Sequence, residues 1–126
     1  MEKRIIKFRY RILENHTGKI IKIIYNIKDI ESKDFIKILD EESMQIISRD
    51  LWTGLKDKNG KEIYEGDIVK YKYGYKILKS QVWFDSGMFK IGTDTLAWEC
   101  GNKSKTIKII GNIYENPELL EEKNVS

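Results

Sequence analysis

The run IKFRYRI, Ile6 to Ile12, alternates without a break. Ile6, Phe8, Tyr10 and Ile12 fall on one face and Lys7, Arg9 and Arg11 on the other, the period-two pattern of a half-buried strand. The polar stretch ENHTGK follows, and then IIKIIYNI, which is apolar on both faces as a strand covered on two sides would be. The two runs predict a hairpin. Between Ser32 and Ser48 the pattern is less decided. SKDFIKILDEE suits a short helix capped by Ser32 about as well as a strand through Phe35 to Ile38. The reading adopted is one short helix within residues 32–42, followed by a strand at Met44 to Ile47.

Turn signals organise the remainder. Asn59-Gly60 predicts a two-residue type I′ turn, whose central residues need positive φ, with Lys58 and Lys61 flanking it in solvent. Glu65-Gly66-Asp67 predicts a second tight turn in which Gly66 takes the unusual backbone angles and the Asp67 carboxylate accepts neighbouring N–H groups. The strand DIVKYKY leaves it, with Val69, Tyr71 and Tyr73 on one face and Ile68, Lys70 and Lys72 on the other. YKILKSQVWF changes its apolar parity between Ile77 and Val82, which predicts a β-bulge or sharp bend near Lys79-Ser80. Asp85-Ser86-Gly87 turns into MFKIG, and LAWEC and TIKII are further short apolar runs. In ENPELLEE, Asn116 suits an N-cap, Pro117 the first helical position and Glu118 the positive end of the dipole, so a short C-terminal helix packs through Leu119 and Leu120. Short strands with frequent turns and a lone proline predict a mainly β fold, either a small curled sheet or an SH3-like β-barrel.

Composition narrows the class more than the chemistry. At 126 residues, one domain with one core is the default. The formal charge of +3 is slight for a chain that is 34% charged, but it is unevenly spread. Residues 1–29 carry a surplus of five positive charges and the rest a surplus of two negative ones. Cys100 is the single cysteine, which excludes an internal disulfide framework and a cysteine-based metal cluster within one chain. MEKRIIKFRYRI has charges where a signal peptide needs an apolar core, and no apolar run approaches the ~18 residues of a membrane span. A cytoplasmic location and no membrane partner are expected.

The charged stretch from Thr53 to Tyr71 is the first candidate site. Asp57, Lys58, Glu62, Glu65 and Asp67 would make a mixed-charge rim, whereas turn geometry alone asks for Asn59, Gly60, Gly66 and Asp67; the second reading is the simpler one. A strand follows, so the stretch is no phosphate cradle, which opens into a helix. The carboxylates lack the spacing of a calcium loop and have no histidine near them, so neither a metal nor a cofactor is expected. His16 lies in a polar turn, and Glu99 beside Cys100 opposes thiolate formation. No nucleophile, base and orienter can be assembled, so the chain is expected not to be an enzyme. Two basic rows remain: Lys7, Arg9 and Arg11, and Lys70 with Lys72. Together they would form a phosphate-attracting groove for nucleic acid, or else an ordinary solvated sheet face.

TGLKDKNGKEIYEGDIV, Thr53 to Val69, and IIGNIYENPELLE, Ile109 to Glu121, resemble the two signature segments of the YopX family, and SQVWFDSGMF, Ser80 to Phe89, resembles the segment between them. The N-terminus departs from the family pattern: where members tend to open with Lys-Phe-Arg-Ala-Trp-Asp, this chain keeps Lys7, Phe8 and Arg9 but continues with Tyr10, Arg11 and Ile12. The resemblance implies one domain over 1–126, with a divergent part at 1–50, a signature-bearing β part at 51–121 and a tail at 122–126. It implies a mainly β fold, assembly into homo-oligomers and coding by bacteriophages and prophages of Gram-positive bacteria, and it supplies no catalytic residues. The expected function is sequestration in the host cytoplasm, by blocking a host protein such as an anti-phage defence component or by trapping its small nucleotide signal. Nucleic-acid binding is the alternative and an uncharacterised enzyme the second alternative.

Overall fold

The computed structural model describes residues 5–32, 42–92, 94–96 and 106–121, and within them the chain is mainly β. It divides into two compact units, Met1–Trp52 and Thr53–Ser126.

In the first unit β1 (Lys7–Glu14) lies between β2 (Ile20–Asn26) and the part of β3 (Met44–Lys56) up to Trp52, antiparallel to both. The predicted hairpin is therefore present, and alternation does place Phe8, Tyr10 and Ile12 on one face. Tyr10 and Ile12 are buried there among Phe8, Ile23, Tyr25, Ile30, Met44 and Ile46. Edge-to-face contacts of Tyr10 with Phe8 at 6.3 Å and with Tyr25 at 5.4 Å set the ring packing. Burial and the Asp29 and Tyr10 charges push the Tyr25 phenol up from its usual pKa. The β1–β3 register slips between Arg11 and Ile12, which makes Ile47 the extra residue of a bulge.

Two expectations for this unit change. Among the described residues β2 is not covered on two sides: it is an edge strand there, with Ile21, Ile23 and Tyr25 turned inward and Ile20 and Ile24 exposed. The helical turn comes earlier than predicted, as α1 (Ile27–Ile30), because Asn26 and Asp29 form a reciprocal capping box. Ser32 donates its hydroxyl to the Asp29 carbonyl at the end of that turn and so opens no helix. The rest of the predicted helix, residues 33–41, lies outside the described residues.

The second unit begins within β3, which continues as strand to Lys56 and turns back as β4 (Glu62–Tyr64). Its five-stranded antiparallel sheet has the order β8 (Asp94–Thr95), β7 (Met88–Ile91), β6 (Lys76–Asp85), β5 (Asp67–Tyr73), β9 (Lys108–Asn112). Ile63, Val69, Tyr71, Val82, Ile91, Leu96 and Ile107 form the buried core. Each large aliphatic side chain so buried stabilises the fold by about 1.5–3 kcal/mol. Both sheets are open among the described residues, so no SH3-like barrel closes.

Of the bulge or bend predicted near Lys79-Ser80, the bulge is absent. Pairing runs unbroken from Ile68 opposite Gln81 to Tyr73 opposite Lys76. Leu78, Ser80 and Val82 stay on the inner face, and the change of parity arises because Ile77 is left 58% exposed. The irregularity lies on the other side of β5, where Ile110 is the extra residue of β9.

The turns also differ in type. Asp57 accepts at its carbonyl from the Gly60 N–H, and its own N–H donates to the Lys61 carbonyl. Of the predicted I′ pair only Gly60 has positive φ, 80°, so this is a type I turn with a glycine bulge. The two-residue turn with positive φ at both positions is Ser86-Gly87, at 53° and 79°, between paired Asp85 and Met88. Gly66 behaves as predicted, with φ of 88°, its N–H donating to Val82 and its carbonyl accepting from Ile113. A Cβ there would meet Ile113 and Tyr114 only at ordinary contact distance, so the strain of a substitution is in the backbone. Gly66→Val should therefore cost about 1–3 kcal/mol. Thermal unfolding checks this, and an unchanged Tm refutes the turn's importance.

The C-terminal helix is a single 3-10 turn, Pro117–Leu120, with Pro117 in the first position as predicted. Asn116 makes no side-chain cap; its N–H donates to the Asn112 carbonyl and its own carbonyl accepts from Leu119. Leu119 lies so close over β9 that a Cβ on Gly111 would come within 2.6 Å of its Cδ1. A side chain at position 111 would therefore have to displace Leu119 and Asn116.

Candidate functional site

The predicted binding residues do not converge. The β1 row is the clearest correction. Arg11 and Asp50 are each only 2% exposed, and Arg11 Nη1 donates to Asp50 Oδ2 at 2.6 Å and to Ser48 Oγ at 3.2 Å. Arg9 donates to the same carboxylate oxygen through Nε at 3.2 Å and Nη2 at 3.1 Å. Lys7 stands over the Trp52 ring, 4.2 Å from its centroid. This row is an internal ion cluster with a cation–π contact at its end, and it offers no groove to phosphate.

The signature loop likewise turns inward. Asp57 and Asp67 are buried. Asp67 Oδ2 accepts from the Tyr64 N–H at 2.8 Å and Oδ1 from Asn112 Nδ2 at 3.2 Å, as its turn role predicted. Asp57 accepts from Asn59, Lys61 and Ile109 N–H groups. Glu62 and Glu65 are half-buried at the ends of β4, and of the five proposed rim residues only Lys58 is exposed. Among the described residues no group of three or more His, Cys, Asp or Glu is placed to hold a metal. His16 is exposed in the β1–β2 turn, and Cys100 lies outside the described residues. A shallow cleft of about 470 Å³ is lined by Ile5, Ile6, Asn26, Ile27 and Lys28, with Lys28 the one ionisable residue in that lining.

What is left exposed is the outward face of the five-stranded sheet and its β6–β7 hairpin. Strand parity sends Lys70 and Lys72 outward while Tyr71 is buried, as predicted. Pairing then adds two residues to this row: Lys79 on β6 and Lys108 on β9 both lie opposite Lys70. Lys79 belongs to the basic and aromatic run from Lys70 to Lys79 that the sequence displays; Lys108, which the sequence reading missed, needed the register of two strands far apart in sequence. At the hairpin tip Trp83, Phe84 and Met88 are 37%, 50% and 41% exposed. Phe84 meets Phe89 edge to face at 5.1 Å, and Lys90 approaches the Trp83 ring at 5.6 Å while donating to Asp85 at 3.2 Å. That hydrogen bond, helped by Ser86, holds the Asp85 carboxyl below its usual pKa.

A family model described as YopX protein matches residues 5–121. Among solved structures, the chain is similar to the crystal structure of protein EF1440 from Enterococcus faecalis: 25% identity, 90% of this chain and 98% of that one covered, and a TM-score of 0.53. No curated protein matches. Among the described residues no helix is long and apolar enough to cross a membrane.

Proposed function

The chain belongs to the YopX family, and from that premise we propose that it is a phage or prophage accessory protein that acts without catalysis, by binding a host factor and keeping it from its work. The observation that carries this reading is the β6–β7 hairpin tip. Trp83, Phe84 and Met88 are large apolar side chains exposed on the strands beside the two-residue turn Ser86-Gly87, Trp83 and Met88 on one face of the hairpin and Phe84 on the other. Aromatic residues and Met are the types enriched at the centres of protein–protein interfaces, and a rigid turn presents them at little entropic cost. The occupant is a host protein, with a component of anti-phage defence as the biological class; a bound nucleotide signal is the other form of sequestration.

Affinity capture from phage-infected host lysate, with and without nuclease, tests this when run beside Phe84→Ser/Met88→Ser. Mass spectrometry should find a specific host protein on the native chain that survives nuclease and is depleted at least tenfold on the variant. Equal recovery by both chains removes the hairpin tip from the proposal. Recovery of nucleic acid alone, or of a nucleotide without protein, overturns the protein partner.

A further inference from the structure

We infer that the outward face of β9, β5 and β6 binds the phosphate backbone of a single-stranded nucleic acid, a reading that rests on lysines outside the hairpin tip and shares only Trp83 with it. Lys70 lies opposite Lys79 on one neighbouring strand and Lys108 on the other. Strands are about 4.8 Å apart, so three ammonium-bearing chains stand side by side across the sheet, with Lys72 two residues further along β5. All four are exposed. None has a carboxylate within ion-pairing distance among the described residues.

Two ordinary explanations do not account for the whole row. Lysines protect sheet edges, which suits Lys108 on the edge strand β9, but Lys70 lies on β5 between β6 and β9. Solvation alone asks for polar residues, not for like charges directly opposite one another, an arrangement that lowers stability. A polyanion that neutralises the row would offset that repulsion.

The choice among polyanions follows from side-chain type and shape. Lysine is depleted at protein–protein interfaces, whereas phosphate backbones are held by Lys and Arg as point charges. Reading a duplex through its major groove takes a projecting helix or ribbon, which this face does not offer. A flat basic face with an aromatic platform suits an unpaired strand, and the half-exposed Trp83 ring shares this face of β6 with Lys79. The 3-10 turn, with Glu118 in it and Leu119 over Gly111, bounds the face with negative charge at its Ile68 end, the end at which Trp83 also lies. The strand would thus run across the lysines, from β9 over β5 to β6.

Fluorescence anisotropy of the purified full chain with a labelled oligo(dT) and a mixed-sequence single strand tests the inference. Four neutralised phosphates predict that affinity falls roughly 50-fold between 50 and 200 mM salt. Lys70→Gln/Lys79→Gln should weaken binding at least tenfold at 50 mM and halve the salt slope, while Tm holds or rises because the repulsion is relieved. Lys79→Gln/Lys108→Gln removes two groups by another route and should behave alike. Lys58→Gln/Lys61→Gln, at the distant hairpin turn, should leave binding unchanged. The inference is overturned by no binding at 50 mM salt, by affinity indifferent to both row variants, or by a duplex or polyglutamate competing as well as the single strand.

Discussion

Asp50→Ala should lower the unfolding free energy by about 3–5 kcal/mol, because it removes the carboxylate oxygen on which two guanidinium groups converge and leaves a buried cation behind. The size of the effect comes from burial: Arg11 and Asp50 are each 2% exposed, so water cannot take over the lost partner. The arrangement itself need not be strongly stabilising, since desolvating the charges costs about as much as their attraction returns. A second variant separates these two statements. Arg11→Met/Asp50→Leu replaces donor and acceptor by apolar groups of similar volume and should recover at least half of the loss. Urea unfolding of the three chains reads both effects. A loss below about 1 kcal/mol for Asp50→Ala would mean that the cluster is hydrated in solution.

The same cluster shows where the sequence could be read and where it could not. Alternation in IKFRYRI placed Phe8, Tyr10 and Ile12 correctly on the packed face, because a period of two is a local property of a strand. Whether the opposite face meets water is not local. It depends on Asp50 arriving opposite Arg9 from 41 residues away, and nothing in the charged row distinguishes that outcome from a solvated face. Gly66 and Pro117 were legible because each answers to its own backbone geometry. Asn59 was misassigned for an equally local reason: its neighbour Asp57 supplies a carboxylate that favours a type I turn, a competitor that the Asn-Gly pair alone does not reveal. The parity change in YKILKSQVWF suggested a bulge only on the premise that every isoleucine is inside, and Ile77 is not. For the lysine face the charges were visible but their adjacency was not, since Lys108 meets Lys70 through a register that slips at Ile110.

Asp57→Ala is expected to cost about 3 kcal/mol, more than any other substitution in the signature loop. Its Oδ1 accepts from the Asn59 and Lys61 N–H groups, both at 2.9 Å, and its Oδ2 accepts from the Ile109 N–H at 3.1 Å. One side chain therefore closes the β3–β4 turn and fastens it to β9, where Lys58 N–H adds a further bond to the Ile107 carbonyl. Hydrogen bonds to a charged acceptor contribute about 1.5–3 kcal/mol each, and the three share one carboxylate, so the sum is less than three times that figure. Asp57→Asn separates the two functions. An amide oxygen can keep the pair at the turn, but the amide N–H₂ then faces the Ile109 N–H, donor against donor, so roughly half of the loss should remain. Hydrogen exchange locates the effect: in Asp57→Asn the Ile109 amide should exchange faster while Lys61 stays protected, and in Asp57→Ala both should lose protection. Lys58→Ala, at an exposed position beside it, should change stability by less than about 0.5 kcal/mol. If instead Lys58→Ala matched Asp57→Ala, the loop's charges would be acting together at the surface, and its conformation would not depend on one buried carboxylate.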